Sequence, residues 1–161
     1  MPPAAPSQKR PADADSAEIS PLEDLVGYNL KRAYVIFQAD FRRALGEDGF
    51  APRVFSVLSL VVGAPNITQS EVARRLGIER SGLVAIVDEL EGRGLIRRTT
   101  VPGDRRVQAL VATEDGAIAH ADALAAVEAH EAALLTEFSA AERRTLLDLL
   151  QKIRAMGDAT C

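Results

Sequence analysis

Between Ile67 and Val111 the chain passes through two short helix-like stretches joined at a glycine, then two strand-like stretches joined at a turn. Few folds accommodate that order. Thr68-Gln69-Ser70-Glu71 is a Ser/Thr-x-x-Glu box, the pattern in which cap and third residue satisfy each other's backbone N–H groups. Gly77 ends that stretch, and Ile78, Leu83, Ile86, Val87 and Leu90 then recur at helical spacing. The runs Leu95 to Thr99 and Val107 to Val111 flank Val101-Pro102-Gly103-Asp104, whose proline, glycine and aspartate are turn residues. Two helices meeting at a glycine, followed by a hairpin, form a shape that can seat the second helix in a DNA major groove.

The charge distribution agrees with that shape better than the total does. The net charge is −4 over 161 residues, whereas a nucleic-acid binder is expected to carry a basic footprint. From Asn66 to Thr113, however, eight arginines face six acids, a local +2 that leaves −6 for the remainder. Between Arg97 and Arg106 four arginines meet one acid, Asp104, where a hairpin would touch phosphate. The chain is 47% hydrophobic, enough for an aliphatic core, and lacks tryptophan. No apolar run is long enough to span a membrane and no secretory segment is evident, so the expected location is cytoplasmic. The lone cysteine, Cys161, excludes an intrachain disulfide.

The predicted fold is mainly α with a small β wing: a winged helix-turn-helix lobe flanked by N- and C-terminal dimerisation helices. Residues 1–19, with four prolines and no apolar periodicity, are expected to form a disordered arm. Residues 20–65 hold N-terminal helices, 66–113 the DNA-binding lobe and 114–161 C-terminal helices. Ser20-Pro21-Leu22-Glu23 and Ser139-Ala140-Ala141-Glu142 repeat the capping pattern. The first helix should run from Pro21 to near Leu45 and end at Gly46 and Gly49. The second follows Pro52 and stops at Gly63-Ala64-Pro65. Thr113 can cap a third long helix whose first turn holds Glu114 and Asp115, favourable at the positive helix end. The long terminal helices are more apolar than the small lobe can cover. Burial against a second copy is the expected outcome, with an intrachain bundle as the alternative.

Within the lobe, the helix opened by Thr68, Gln69 and Ser70 and continued through Arg74 would cross the backbone, its N-terminal N–H groups facing a phosphate. The helix from Arg80 would read bases, with Arg80, Ser81, Val84, Ala85 and Asp88 on or near its outer side. An arginine at its groove-entering end can fork onto guanine O6 and N7. Val84 and Ala85 can touch thymine methyls only. Arg105 and Arg106 sit just past the turn, so one of them can reach phosphate or the minor groove. Arg98 is a further DNA-binding candidate, and Asp104 would orient an arginine, since a bare carboxylate is repelled there.

At these residues the chain resembles the MarR family of bacterial transcription regulators. The resemblance rests on Thr-Gln-Ser-Glu-Val-Ala at 68–73, Val87-Asp88-Glu89-Leu90-Glu91 with Gly94-Leu95-Ile96 and Arg98, Asp104-x-Arg106, and Thr113-x-x-Gly116. It covers about Leu22 to Ile153. It implies a triangular homodimer reading a near-palindromic double-stranded operator, with Asp104 and Arg106 acting as a pair in the wing. It also implies an effector pocket between the dimer helices and each lobe, often for phenolic or aromatic carboxylate compounds, whose occupancy releases DNA. Gly82, Val84 and Ala85 depart from the threonines and arginines common along the family's recognition helix. The peroxide-sensing branch uses a cysteine near the N-terminal helix; none stands there.

Candidate effector contacts are Asn29 and Arg32 on the first helix and Arg53 on the second, which can pair an anion, with rings from Phe37, Phe41, Phe50 and Phe55. Alternatively, the arginines are exposed and the rings are core. An aromatic acid or its coenzyme A thioester is the expected ligand, because Lys31, Arg32, Arg42 and Arg43 can hold phosphates. A metal-responsive regulator is a rival reading. Its material is His120 and His130, ten residues apart and so about 80° around and roughly 15 Å along a helix, too far for one ion. Both are expected to be solvated, and no metal site or cofactor is expected. No nucleophile-and-base pair or phosphate loop suggests an enzyme. A winged-helix adaptor without DNA affinity is the remaining alternative.

Overall fold

The computed structural model describes residues 21–45, 49–101 and 104–158. The expected arm, the Ser20 cap, the Gly46 stop, the Pro102-Gly103 turn and Cys161 lie outside the described residues. Residues up to Val35 and residues from Ile36 form two compact units, and helix α1 (Val26–Leu45) runs from the first into the second.

In the first unit the helix does not begin at Pro21. Pro21–Asp24 is a 3-10 turn closed by Leu25 N donating to Leu22 O at 3.1 Å, and α1 starts at Val26. The Asn29 amide explains the break. It donates to Glu23 O at 2.6 Å and to Leu25 O at 3.0 Å, taking a carbonyl that a continuous helix would offer to its own backbone. Leu22, Leu25, Val26, Leu30, Tyr34 and Val35 are all exposed.

In the second unit, α2 (Pro52–Gly63), α3 (Gln69–Leu76) and α4 (Arg80–Gly92) enclose one aliphatic core. Val57, Leu58, Val61, Val72, Leu83, Val87, Leu90, Ile96 and Leu110 are fully buried, each contributing about 1.5–3 kcal/mol of transfer free energy. A three-stranded antiparallel sheet closes it, in the order β1 (Ile67–Thr68), β3 (Asp104–Ala112), β2 (Ile96–Val101). Ile67 pairs with Leu110, and Arg98 pairs with Leu110 from the other side, so β3 is central. The hairpin matches the expected wing; the two-residue β1 has no sequence signal of its own.

The helix ends follow the local chemistry. Thr68 Oγ1 accepts from Glu71 N at 3.2 Å, capping α3. At its other end Gly77 has φ +60°, Ile78 N donates to Ala73 O and Gly77 N to Arg74 O, a Schellman closure that needs a left-handed residue. The same closure ends α4: Leu95 N donates to Leu90 O and Gly94 N to Glu91 O, with Gly94 at φ +72°.

Thr113 Oγ1 accepts from Gly116 N at 3.0 Å to start α5 (Glu114–Leu134), and also donates to Gly94 O at 2.7 Å. Ser139 and Glu142 form the expected reciprocal box at α6 (Ala140–Asp158), and the Ser139 hydroxyl holds the Glu142 carboxyl below its ordinary titration range. Leu147, Leu149, Leu150, Ile153 and Met156 of α6 are exposed, as are Ile118 and Leu124 of α5. No helix among the described residues is long and apolar enough to cross a membrane.

Candidate nucleic-acid interface and effector pocket

The core holds α4 by one side. Leu83, Val87 and Leu90 point inward, which leaves Arg80, Ser81, Val84, Ala85 and Asp88 exposed, as the helical spacing predicts. Glu79, at the cap position of α4, makes no capping bond with its side chain, so the first turn meets solvent beside Arg80. Ser70 and Arg74 of α3 are exposed, while Gln69 Nε2 donates to Gln108 Oε1 at 3.1 Å and ties the start of α3 to β3. These residues therefore sit on two helices fixed to one sheet. The backbone of Asp104, Arg105 and Arg106 belongs to β3; their side chains lie outside the described residues.

Gly82 faces outward in the first turn of α4, where an added Cβ would meet only Ile78 Cγ2, at an ordinary 3.6 Å. Gly82→Ala should therefore stabilise the protein by about 0.5–1 kcal/mol, read as a higher urea midpoint. A lower midpoint would show that the glycine contributes something other than backbone freedom to this turn.

Arg98 is the sequence candidate whose surroundings differ most from the expectation of a free phosphate contact. Its guanidinium donates to Asp88 Oδ1 and Glu91 Oε2, both on α4, and its backbone N–H donates to Glu91 Oε1 at 3.2 Å. The hydrogen bond to Asp88 raises its pKa further, so it stays cationic. Its side chain is 24% exposed, whereas that of Asp88 is 59% exposed.

The effector candidates separate into groups. Phe41 and Phe55 meet edge to face at 5.9 Å between centroids, and Phe55 stacks on His120 of α5 at 5.8 Å. His120 Nε2 lies 3.0 Å from Ser59 Oγ, and that hydroxyl donates its one proton to Phe55 O at 2.8 Å. With the Ser59 proton so placed, His120 Nε2 is positioned to donate to the Ser59 oxygen. Phe37 meets His130 at 6.5 Å, and the buried His130 Nε2 has no hydrogen-bond partner among the described residues. The expectation that both histidines are solvated is thus corrected: each is partly buried between aromatic and helical neighbours.

Phe50 does not join this group. It is 7% exposed, in the core, with the Arg93 guanidinium 4.4 Å above its ring. A separate cavity of about 300 Å³ lies beside it, lined by Leu45, Arg93, Asp122 and Ala123 among others. The Arg53 side chain is exposed, and those of Arg42 and Arg43 lie outside the described residues. In the first unit, Asn29 is held by its own backbone and exposed Arg32 lies 6.0 Å from the Tyr28 ring. Ser59 and His120 were not expected at a site. The signal for His120 is the spacing of Gly116, His120, Ala123 and Val127, which puts it on the inner stripe of an alanine-rich helix that has little amphipathic contrast; Ser59 has no such signal.

Comparison with known proteins agrees with this geometry. The model of the MarR family matches residues 48–107. A protein assigned to regulation of the hcr operon in Thauera aromatica is 32% identical over 94% of this chain and 93% of its own length. The transcriptional repressor CouR, solved on a 23-mer DNA duplex, is 38% identical with a TM-score of 0.80, covering 85% of this chain and 97% of that one. CouR from Rhodococcus jostii bound to p-coumaroyl-CoA is 32% identical with a TM-score of 0.75, covering 83% and 94%. These relatives are transcription regulators and not enzymes. The chain belongs to the MarR family and is a ligand-responsive transcription regulator built on a winged helix-turn-helix.

Proposed function

We propose that the protein is a cytoplasmic repressor that binds a near-palindromic operator as a homodimer and leaves it when an aromatic acid, carried as its coenzyme A thioester, is bound. The observation that carries this reading is the outward face of α4, headed by Arg80, in a chain 38% identical to a repressor solved on DNA. Pairing of two copies through the terminal helices is supported by Leu22, Leu25, Val26 and Leu30 near the N-terminus and Leu147, Leu150 and Ile153 on α6, all exposed in the single chain. With two lobes, half-sites about one helical turn apart would be engaged together. The aryl group is assigned to the Phe41–Phe55–His120 group. The two phenylalanine rings suit an aryl group, the His120 ring and Ser59 hydroxyl beside them suit a polar substituent on it, and CouR is solved with p-coumaroyl-CoA.

Fluorescence anisotropy on DNA from upstream of the gene tests this directly. A rise on adding the protein, reversed by p-coumaroyl-CoA but not by coenzyme A alone, is the expected result. A dimer that binds no such DNA at low salt would end the operator reading. DNA binding that no aromatic thioester or acid alters would end the effector reading. Arg106→Ala should weaken binding to most sequences and lower the slope of log K against log salt by about 0.9 for each phosphate no longer neutralised. Arg80→Ala should instead relax preference at one base pair of each half-site, by about 1–3 kcal/mol.

A further inference from the structure

We propose that Arg98 serves DNA binding without touching DNA: it is a positioning residue that masks the Asp88 carboxylate on the reading face of α4 and clips strand β2 to that helix. The inference rests on the reading that α4 enters a DNA groove.

Ser81 and Asp88 are seven residues apart, about 20° on the helix wheel, so Asp88 continues the stripe formed by Ser81 and Ala85. A bare carboxylate on that stripe would face the phosphates bordering the groove and repel them. The geometry removes this cost from within the chain. The Arg98 fork spans two carboxylates one turn apart, Asp88 and Glu91, while Glu91 also accepts from the Arg98 backbone N–H. Three hydrogen bonds thus join α4 to β2 in addition to the Gly94 turn between them. A guanidinium that swung out to a phosphate would break two ion pairs and expose both acids. Arg97, the preceding residue on the strand, occupies the opposite face.

A double-mutant cycle tests the assignment. Operator affinity is measured across a salt series for wild type, Arg98→Ala, Asp88→Asn and the double variant, with thermal midpoints for each. Arg98→Ala should weaken operator binding by about tenfold at low salt and by less at high salt, where the repulsion of the unmasked carboxylate is screened. Asp88→Asn alone should bind at least as well as wild type, and in the Arg98→Ala background it should restore most of the affinity. The same loss in the double variant as in Arg98→Ala, with no recovery on removing the Asp88 charge, would make Arg98 a direct phosphate ligand and overturn the proposal. Glu91→Gln, which loosens the clip but leaves Asp88 paired, should weaken binding less than Arg98→Ala, and its thermal midpoint separates loss of fold from loss of affinity. The thermal midpoints need no DNA. Nonadditivity of about 2–4 °C between Asp88 and Arg98 reports their pairing even if the wild type binds no operator, whereas strict additivity would end the proposal independently of the function assigned to the chain.

Discussion

Leu90→Ala is expected to lower the unfolding free energy by about 2–5 kcal/mol. The side chain is fully buried among Val57, Leu58, Leu83, Val87 and Ile96, so truncation removes transfer free energy and leaves a cavity that a sheet and three helices cannot fill. Domains of this size are stable by only about 5–15 kcal/mol, so the change removes a large fraction of the total. Leu90 also provides the carbonyl that Leu95 N closes on at the end of α4, and the two side chains belong to one cluster. The destabilisation should therefore appear as a lower urea midpoint with an unchanged slope, together with weaker operator binding as α4 loses its anchor. A shift below about 1 kcal/mol would mean that α4 is held elsewhere.

Gly116→Ala comes next. A Cβ at Gly116 would lie 1.9 Å from the Leu95 carbonyl oxygen and 2.8 Å from its carbon. Both are backbone atoms, so no rotamer change can relieve the overlap; α5 or the Gly94-Leu95 turn must move. Overpacking of this kind costs about 1–3 kcal/mol, occasionally more. Separation of the two segments should also break the bond from Thr113 N to Leu95 O, at 3.0 Å, and that from Thr113 Oγ1 to Gly94 O. Faster amide exchange at Thr113, beyond what the drop in global stability accounts for, would identify this junction as the point of failure. An unchanged midpoint would show that the approach can relax.

The contrast between these two residues shows what is legible in the sequence. Leu90 is an apolar residue at helical spacing beside Leu83 and Val87, and its burial follows from periodicity. The limits of α3 and α4 follow from Thr68, Gly77 and Gly94, whose chemistry is local. Gly116 can be noted as part of Thr113-x-x-Gly116, but the reason for it, a carbonyl twenty-one residues earlier, is a tertiary contact. Strand β1 is invisible because two residues carry no period, and Ile67 pairs only because β3 has an open edge. The start of α1 differs from the Pro21 expectation because a side-chain amide six residues on takes the Glu23 carbonyl. At the site, the exposed face of α4 is readable from its own spacing. The partners of Arg98 and His120 are not: Arg98 meets Asp88 and Glu91 only because β2 folds back along α4, and Ser59 lies 61 residues before His120.

The Thr113 hydroxyl is engaged twice, donating to Gly94 O and accepting from Gly116 N. His120, two turns along the same helix, lies about 10 Å from it. Between the aromatic group around His120 and the exit of α4 there is consequently no slack: one unbroken rod ends in a rivet on the turn behind the reading helix. A displacement of α5 must carry that turn with it, so the lobe can be expected to swing as a block while its interior packing stays intact.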